Sequence, residues 1–263
     1  IIQAIEVINY AKKIGAKYIA HGSTGAGNDQ VRFDMIFQVL APEIKIITLI
    51  RDLQLSREDE IKYLKTQGIN LPWEKAKYSI NQGLWGTSVG GAETLASDSP
   101  LPDAAYPSQL KTETPEFLTL SFKKGELIKV NKTLGSPVEL IQKLQEHAKK
   151  FAIGRDIHVG DTIIGIKGRV GFEAAASIII IKAHHLLEKH TLTKWQLYQK
   201  EQLANFYGMQ LHEGHYLDPV MRDMEAFMES SQKQVSGTVS IKLHPYRFEL
   251  LGISSPNDLM HAE

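Results

Sequence analysis

The chain has 263 residues, enough for a substantial buried core in one large domain or two of ordinary size, and we expect two. Its 30 Lys and Arg residues balance 30 Asp and Glu residues, so the charge gives no sign of binding to nucleic acid or to an anionic membrane surface. It contains no cysteine, which excludes disulfides and thiolate chemistry and fits a cytoplasmic protein.

The sequence of residues 1–69 predicts helices and strands in alternation. Ile2, Ile5 and Ala11 belong to an apolar stripe that predicts a helix ending before Gly15. The next predicted elements are a strand at 17–20, a helix at 30–40, a strand at 45–50, and a helix that begins at Ser56 and ends near residue 68. Because such alternation implies a parallel sheet covered by helices, we expect the latter part of a doubly wound α/β nucleotide-binding domain that lacks one edge.

The sequence of residues 70–263 predicts an α+β domain, in which strand pairs are followed by helices. Prolines recur in residues 97–116, which we expect to form an irregular surface segment. The later predicted elements are a hairpin turning at 123–125, a helix at 137–151, a strand at 163–167, helices at 174–190, 193–207 and 219–231, and a hairpin of 237–243 and 246–251. The longest apolar run, Ala174 to Ile181, is too short to span a bilayer, so we expect no membrane segment.

One loop is richer in ligand-binding groups than any other part of the chain. Between the first predicted strand and the next helix stands the run His21-Gly22-Ser23-Thr24-Gly25-Ala26-Gly27-Asn28-Asp29-Gln30-Val31-Arg32-Phe33. A glycine turn of this kind presents backbone N–H groups and the positive end of a helix to an anionic or zwitterionic ligand. The pattern by itself also fits a plain helix entry with Asn28 or Asp29 as the cap.

The same run resembles the nucleotide and aspartate loop of the argininosuccinate synthetases. Four later segments resemble motifs of that family in the same order: Tyr78-Ser79-Ile80 with Leu84-Trp85-Gly86-Thr87-Ser88, Gly154-Arg155-Asp156, Gly165-Ile166-Lys167-Gly168-Arg169, and the closing strand pair from Thr238-Val239 to Gly252. The resemblance covers nearly the whole chain. It implies ATP-dependent ligation of citrulline to aspartate in arginine biosynthesis, with residues 70–263 as a synthetase and oligomerisation domain.

The resemblance also implies a set of binding residues and partners. ATP would be bound by His21, Gly22, Ser23, Thr24, Gly25, Gly27 and Asn28; aspartate by Thr24, Asn28 and Asp29; and citrulline by Asn28, Arg32, Ser79 and Ser88, with Asp161 and Phe172 as substitutes at two further positions. These roles are physically sensible, because Arg32 can bind a carboxylate in a bidentate manner and Asp29 can accept from an ammonium group. No side chain is expected to act as acid, base or nucleophile. The family uses ATP with Mg²⁺ as co-substrate, has no redox cofactor or structural metal, and forms cytoplasmic homotetramers.

The chain departs from the family pattern in several places. Ala26 stands where lysine is common, Gly90 where glutamate is frequent, and Gly160 and Phe172 where many members have glutamate and tyrosine. The pyrophosphate-binding run Ser-Gly-Gly-Leu-Asp-Thr-Ser of the family does not occur in these residues. We therefore expect a fragment that lacks the N-terminal pyrophosphate-binding loop and the C-terminal arm and is inactive by itself.

Two other functions stay open at this stage, namely another ligase of the ATP pyrophosphatase type and a non-catalytic fragment that binds amino acids. The His212-Glu213-Gly214-His215 segment lacks zincin spacing, so metal binding is not expected there. His184 and His185 lie on a predicted apolar helix and are interpreted as packing or interface residues. The aromatic residues interpreted as core or interface are Trp85, Trp195 and Tyr207.

Overall fold

The computed structural model describes residues 1–25, 27–71 and 78–261, so the sequence departure at Ala26 lies outside the described residues. The chain divides into two compact units. The first contains Ile1–Ala76, Gly160–Gly168 and Ala204–Met224, and the second contains Lys77–Val159, Arg169–Leu203 and Glu225–Glu263. The predicted domains, 1–69 and 70–263, are separated at a single point in the chain. Two later segments join the first compact unit by tertiary packing, which local sequence patterns do not reveal.

The first unit begins with alternating helices and strands, as predicted. Its elements up to residue 71 are α1 (Ile2–Ile14), β1 (Tyr18–Ala20), α2 (Asp29–Leu40), β2 (Lys45–Ile47), α3 (Leu49–Asp52) and α4 (Arg57–Thr66). Strands β1 and β2 pair in parallel, with Ile19 opposite Ile46. Helices α1 and α2 bury Ile8, Ile36 and Phe37 in the core of this unit. The alternation therefore produces the parallel pairing that the sequence predicts.

Local signals set several boundaries in this unit correctly. Gly15 ends α1 in the left-handed conformation, with φ of 69°. Ser56 begins α4 with a capping box, in which it exchanges hydrogen bonds with Asp59. The strand predicted at 45–50 ends instead at Ile47. Helix α3 begins at Leu49, and the backbone N–H of Asp52 in this helix donates to the carbonyl of Thr48 at 2.8 Å.

The second unit is built mainly on antiparallel sheets. Its remaining elements, some of which continue into the first unit, are β3 (Ser79–Gly83), β4 (Gly86–Gly90), β5 (Glu116–Lys123), β6 (Glu126–Val130), β7 (Thr133–Leu134), α5 (Pro137–Ala148), β8 (Arg155–Asp161), β9 (Lys167–Glu173), α6 (Ala175–Thr191), α7 (Lys194–Glu213), α8 (Pro219–Gln232), β10 (Gly237–His244) and β11 (Arg247–Ser254). One sheet has the order β11-β10-β5-β6-β7 and the other β3-β4-β9-β8. Helices α5 and α6 contribute Leu140 and Ile179 to a core that also contains Leu120 and Val239.

The predicted strand at 163–167 is wrong, because residues 163–166 lie in the turn between β8 and β9, and Lys167 is the first residue of β9. The backbone N–H of Thr162 donates to the carbonyl of Ile166, and that of Gly165 donates to the carbonyl of Thr162, both at 2.8 Å. Gly165 adopts a φ of +85°, which glycine tolerates without a steric penalty. Strands β3, β4, β8 and β9 were not predicted, since their glycines and polar residues hide the alternation that marks a strand.

The predicted hairpins and the long helices of this part of the chain are confirmed, although α7 continues to Glu213, beyond the predicted end at 207. The structure contains a parallel strand pair and two sheets with antiparallel pairing, in general agreement with the predicted combination of α/β and α+β structure. Within the described part of the chain, no helix is both long and apolar enough to cross a bilayer.

Candidate functional site

Residues 21–28 join β1 to α2 at the carboxyl end of the parallel pair. The backbone N–H of His21 donates to the carbonyl of Ile47 at 3.1 Å, and that of Gly27 donates to the carbonyl of Thr24 at 3.3 Å. Asn28 has helical backbone angles, and its side chain makes no capping hydrogen bond to the helix. Asn28 is therefore not a conventional cap, and its side chain is free of that structural task.

A polar network lies beside this loop. Asp34 on α2 accepts from His21 Nε2 at 3.0 Å and from Arg51 Nη1 at 2.6 Å. Arg51 Nη1 also donates to Gln30 Oε1 at 3.0 Å, and Gln30 Nε2 donates to the carbonyl of Gly25. One guanidinium on α3 is thus connected to the loop through two side chains of α2.

The hydrogen bonds of His21 define its tautomer. The backbone N–H of Ser23 donates to His21 Nδ1 at 3.3 Å, so Nδ1 is the acceptor, and Nε2 carries the proton and donates it in a hydrogen bond to Asp34. The ring stacks on Phe33 with 5.5 Å between centroids, and its side chain is only 8% exposed. His21 is therefore held on both ring nitrogens and on one face.

Arg32 and Asn28 are held by two segments that are distant in sequence. Arg32 Nε donates to the carbonyl of His212 at 2.8 Å, and Nη2 donates to His212 Nδ1 at 3.1 Å. His212 Nε2 in turn lies 3.2 Å from the carbonyl of Asp161, and the backbone N–H of Ile163 donates to Asn28 Oδ1 at 2.8 Å. The end of α7 and the β8–β9 turn thus orient two of the predicted substrate-binding side chains.

Asp29 is the exposed member of this group. Its side chain is 73% exposed and accepts from Arg32 Nη1 at 3.2 Å. A cavity of about 110 Å³ is lined by Ile1, Gln3, Asp29, Arg32 and Phe33. Such an exposed carboxylate beside a guanidinium can accept hydrogen bonds from the ammonium group of an amino acid. Asp161, one of the two predicted substitutes, forms an exposed ion pair with Lys167 at 2.7 Å.

The predicted citrulline residues of the second unit share one face of the four-stranded sheet. Ser88 on β4 lies opposite Phe172 on β9, and Ser79 on β3 lies opposite Gly90. Directly opposed residues point to the same side, and residues two apart on a strand do so as well. Ser79, Ser88, Gly90 and Phe172 therefore face one way, whereas Val89 faces the other way and is fully buried.

The two arginines in the later motifs have structural contacts within the second unit. Arg155 forms an ion pair with Asp103 at 3.2 Å, and its guanidinium lies 4.8 Å from the centroid of the Tyr106 ring. Arg169 Nη1 donates to the backbone carbonyls of Glu93, Ala96 and Ser99. These contacts tie irregular segments to β8 and β9.

Other residues singled out from the sequence have ordinary surroundings. Across residues 1–25, 27–71 and 78–261, no group of three His, Cys, Asp or Glu side chains could hold a metal ion. His184 and His185 lie near the fully buried carboxylate of Glu188, with ring nitrogens at 3.7 and 3.5 Å, in agreement with a packing role. Trp85 and Trp195 are 50% and 69% exposed, which excludes them from the core.

The sequence interpretation missed Asp34, Arg51 and His212. Arg51 follows the second parallel strand, whose carboxyl end meets that of the first, so polar residues there were a usable signal. No local signal connects His212 with Arg32, because 180 positions separate them.

Comparison with known proteins covers almost the whole chain. The model of the Arginosuccinate synthase N-terminal HUP domain matches residues 1–70, and that of the Arginosuccinate synthase C-terminal domain matches residues 78–263. The argininosuccinate synthase of Methanocaldococcus jannaschii is 38% identical, over 99% of this chain and 67% of its own length. That of Dictyoglomus thermophilum is 37% identical over 96% and 64%, and that of Pyrococcus furiosus 35% over 97% and 62%. The chain thus spans about two thirds of the length of these relatives.

Proposed function

This chain belongs to the argininosuccinate synthase family, and from that membership we propose that the protein carrying it ligates citrulline to aspartate with ATP. The ureido oxygen of citrulline attacks the α-phosphate of ATP, and pyrophosphate leaves. The aspartate amine then attacks the activated ureido carbon, a C–N bond forms, and AMP departs with the former ureido oxygen. The products are argininosuccinate, AMP and pyrophosphate, as arginine biosynthesis requires.

The observation that carries this proposal is the arrangement around the loop of residues 21–28. Its backbone follows a parallel strand and precedes a helix, and Asn28 and Arg32 are both held by remote segments. A reaction between two amino acids and a nucleotide depends chiefly on alignment and on charge stabilisation at the phosphates. A set of oriented hydrogen-bonding groups, without an obvious nucleophile, suits that chemistry.

The binding roles follow the order of the loop. We propose that residues 21–25, 27 and 28 contact ATP, that Thr24, Asn28 and Asp29 bind aspartate, and that Asn28 and Arg32 bind citrulline, as do Ser79, Ser88 and Phe172 of the second unit. Asp161 is a weaker candidate for citrulline, since Lys167 already neutralises it. Magnesium would arrive with the phosphates of ATP, because Mg²⁺ is usually bound through substrate phosphates with few protein ligands.

We also propose that the protein is a cytoplasmic homotetramer. Helix α7, all of which the structure describes, has no buried residue, and its side chains include Trp195, Tyr198 and Met209 at 69%, 55% and 60% exposure. Exposed apolar side chains along one helix are typical of a surface that binds another subunit. The absence of cysteine fits a reducing compartment.

The proposal is tested by calorimetric titration of the protein that carries this chain with aspartate, citrulline and ATP. Asp29→Ala should weaken aspartate binding by about 30-fold, the size of a lost charge-assisted hydrogen bond. Glu6→Ala removes an exposed carboxylate of α1 in the same unit and should leave aspartate binding unchanged. Wild-type protein that binds neither amino acid would refute the proposed function, and unchanged aspartate affinity in Asp29→Ala would remove Asp29 from the site.

A further inference from the structure

Arg51 occupies the centre of the network beside the candidate nucleotide loop. Its guanidinium is connected to the loop by two routes, one through Asp34 to His21 and the other through Gln30 to the carbonyl of Gly25. Both routes begin at Nη1, while Nη2 donates to Thr48 Oγ1 at 3.2 Å. The loop is therefore held near its beginning and near its middle by one side chain.

The network is sufficiently buried for these bonds to restrict motion. The side chains of His21, Asp34 and Arg51 are 8%, 20% and 31% exposed, and Gln30 is 7% exposed as a residue. Charge-assisted hydrogen bonds with limited solvent access are stronger than neutral ones and position their partners more rigidly. The stem of Arg51 also underlies the loop, because its Cγ would lie 3.7 Å from a Cβ placed on Gly25.

The tautomer of His21 allows its ring to hold the loop backbone by a hydrogen bond. Asp34 stabilises the Nε2–H form, which leaves Nδ1 to accept the backbone N–H of Ser23. The peptide group before Ser23 is thereby oriented, and the carbonyl of Gly25 is held by Gln30. The backbone between these points carries the remaining N–H groups that the proposed function assigns to ATP.

We infer that Arg51 is a positioning residue that braces the loop for ATP through Asp34 and Gln30, without contact to the reacting atoms. This inference rests on the proposed function for the identity of the ligand. The guanidinium matters for its geometry as well as its charge, since Nη1 donates to Asp34 and Gln30 while Nη2 of the same plane donates to Thr48. A lysine ammonium supplies the charge but lacks the planar fork, so it replaces the guanidinium only in part.

The test compares Arg51→Gln, Arg51→Lys and a charge-matched control, Arg222→Gln, in the full chain. Arg222 belongs to the same unit, and its guanidinium lies 4.4 Å from the centroid of the Tyr216 ring. ATP affinity, measured by calorimetry, should fall about tenfold in Arg51→Gln, less than the loss of a direct charge-assisted hydrogen bond, because Arg51 acts through the loop. Arg51→Lys should recover part of the loss, and Arg222→Gln should bind ATP as the wild type does. Equal ATP affinity in all four proteins would overturn the inference.

A spectroscopic readout separates this inference from the proposed function. Nitrogen-15 shifts of the His21 ring should report the Nε2–H tautomer in the wild type, and a mixture of tautomers in Arg51→Gln. If the wild type fails to bind ATP, the proposed function fails, while the His21 shifts still decide whether Arg51 braces the loop. An unchanged tautomer in Arg51→Gln that remains folded by circular dichroism would overturn the bracing role independently of ATP.

A double variant tests the two routes. When Arg51→Gln is added to His21→Ala, ATP affinity should fall further by no more than it falls in Gln30→Ala alone, because only the route through Gln30 is left to lose. A further fall equal to the whole effect of Arg51→Gln would contradict the two-route connection.

Discussion

Gly154 stands where the chain passes close to the start of α6, and Gly154→Ala should destabilise the second unit. Its φ is +85°, and a Cβ there would lie 2.6 Å from the backbone nitrogen and 2.7 Å from the Cα of Ala175. The carbonyl of Gly154 also accepts from the backbone N–H of Ala174 at 2.9 Å, so the two segments are joined at this point. A methyl group therefore meets main chain, which cannot rotate away.

The expected loss has two parts. A left-handed alanine costs about 1 kcal/mol relative to glycine. The overlap with α6 adds about 2 kcal/mol, as for overpacking of a dense core, because Ala175 and Ile179 are fully buried and hold that helix in place. The total of about 3 kcal/mol is a large share of the stability of an ordinary domain.

Gly165→Ala is the matched control, because Gly165 has the same φ of +85° and, apart from its chain neighbours, no atom within 4 Å of the place a methyl group would take. It should lose only about 1 kcal/mol. Urea unfolding measures both losses, and hydrogen exchange of peptides from α6 locates the effect in the second unit. Equal destabilisation by the two substitutions would show that the close approach to α6 carries no cost, and would refute this reasoning.

Two further predictions concern histidines. Burial is the largest cause that lowers the pKa of His184 below its ordinary value of 6.5, so its neutral form is favoured in the folded state. The unfolded chain then binds the proton more readily, and the free energy of unfolding should be highest above that value and fall as the pH drops toward the lowered pKa. Urea unfolding at about pH 7.5 and about pH 5.5, roughly one unit on either side of 6.5, should show a smaller pH dependence in His184→Gln than in the wild type. Separately, His212→Ala should weaken citrulline binding about fivefold, because Arg32 loses the acceptor of one hydrogen bond. His215→Ala is its control, and equal citrulline affinity in the two variants would contradict a role for His212.

Local rules were sufficient for the elements whose signals lie within a few residues. Gly15 ends α1, and Ser56 and Ser136 begin α4 and α5 with capping boxes, because each of these signals satisfies backbone groups of its own helix end. The turn at Lys123-Lys124-Gly125 is equally local, with positive φ at Lys124 and Gly125. The loop at residues 21–28 was recognisable because its glycines and polar groups are contiguous.

Contacts between distant residues were decided only by the tertiary structure. Ile163, Ile164 and Ile166 have β-branched side chains that favour a strand, yet the turn at Gly165 and the pairing of the flanking strands override that preference. The register that puts Ser79, Ser88 and Phe172 on one face depends on which strands become neighbours. The bonds of Arg32 to His212 join residues 180 positions apart, and the connection of Arg51 to His21 needs an intervening side chain of α2. The sequence by itself determined the end of α1, the beginnings of α4 and α5, the turn at residues 123–125 and the family resemblance, since each depends on residues read in order. The orientation of the candidate binding groups required the fold, because hydrogen-bond geometry is set by segments that meet only after the chain has packed.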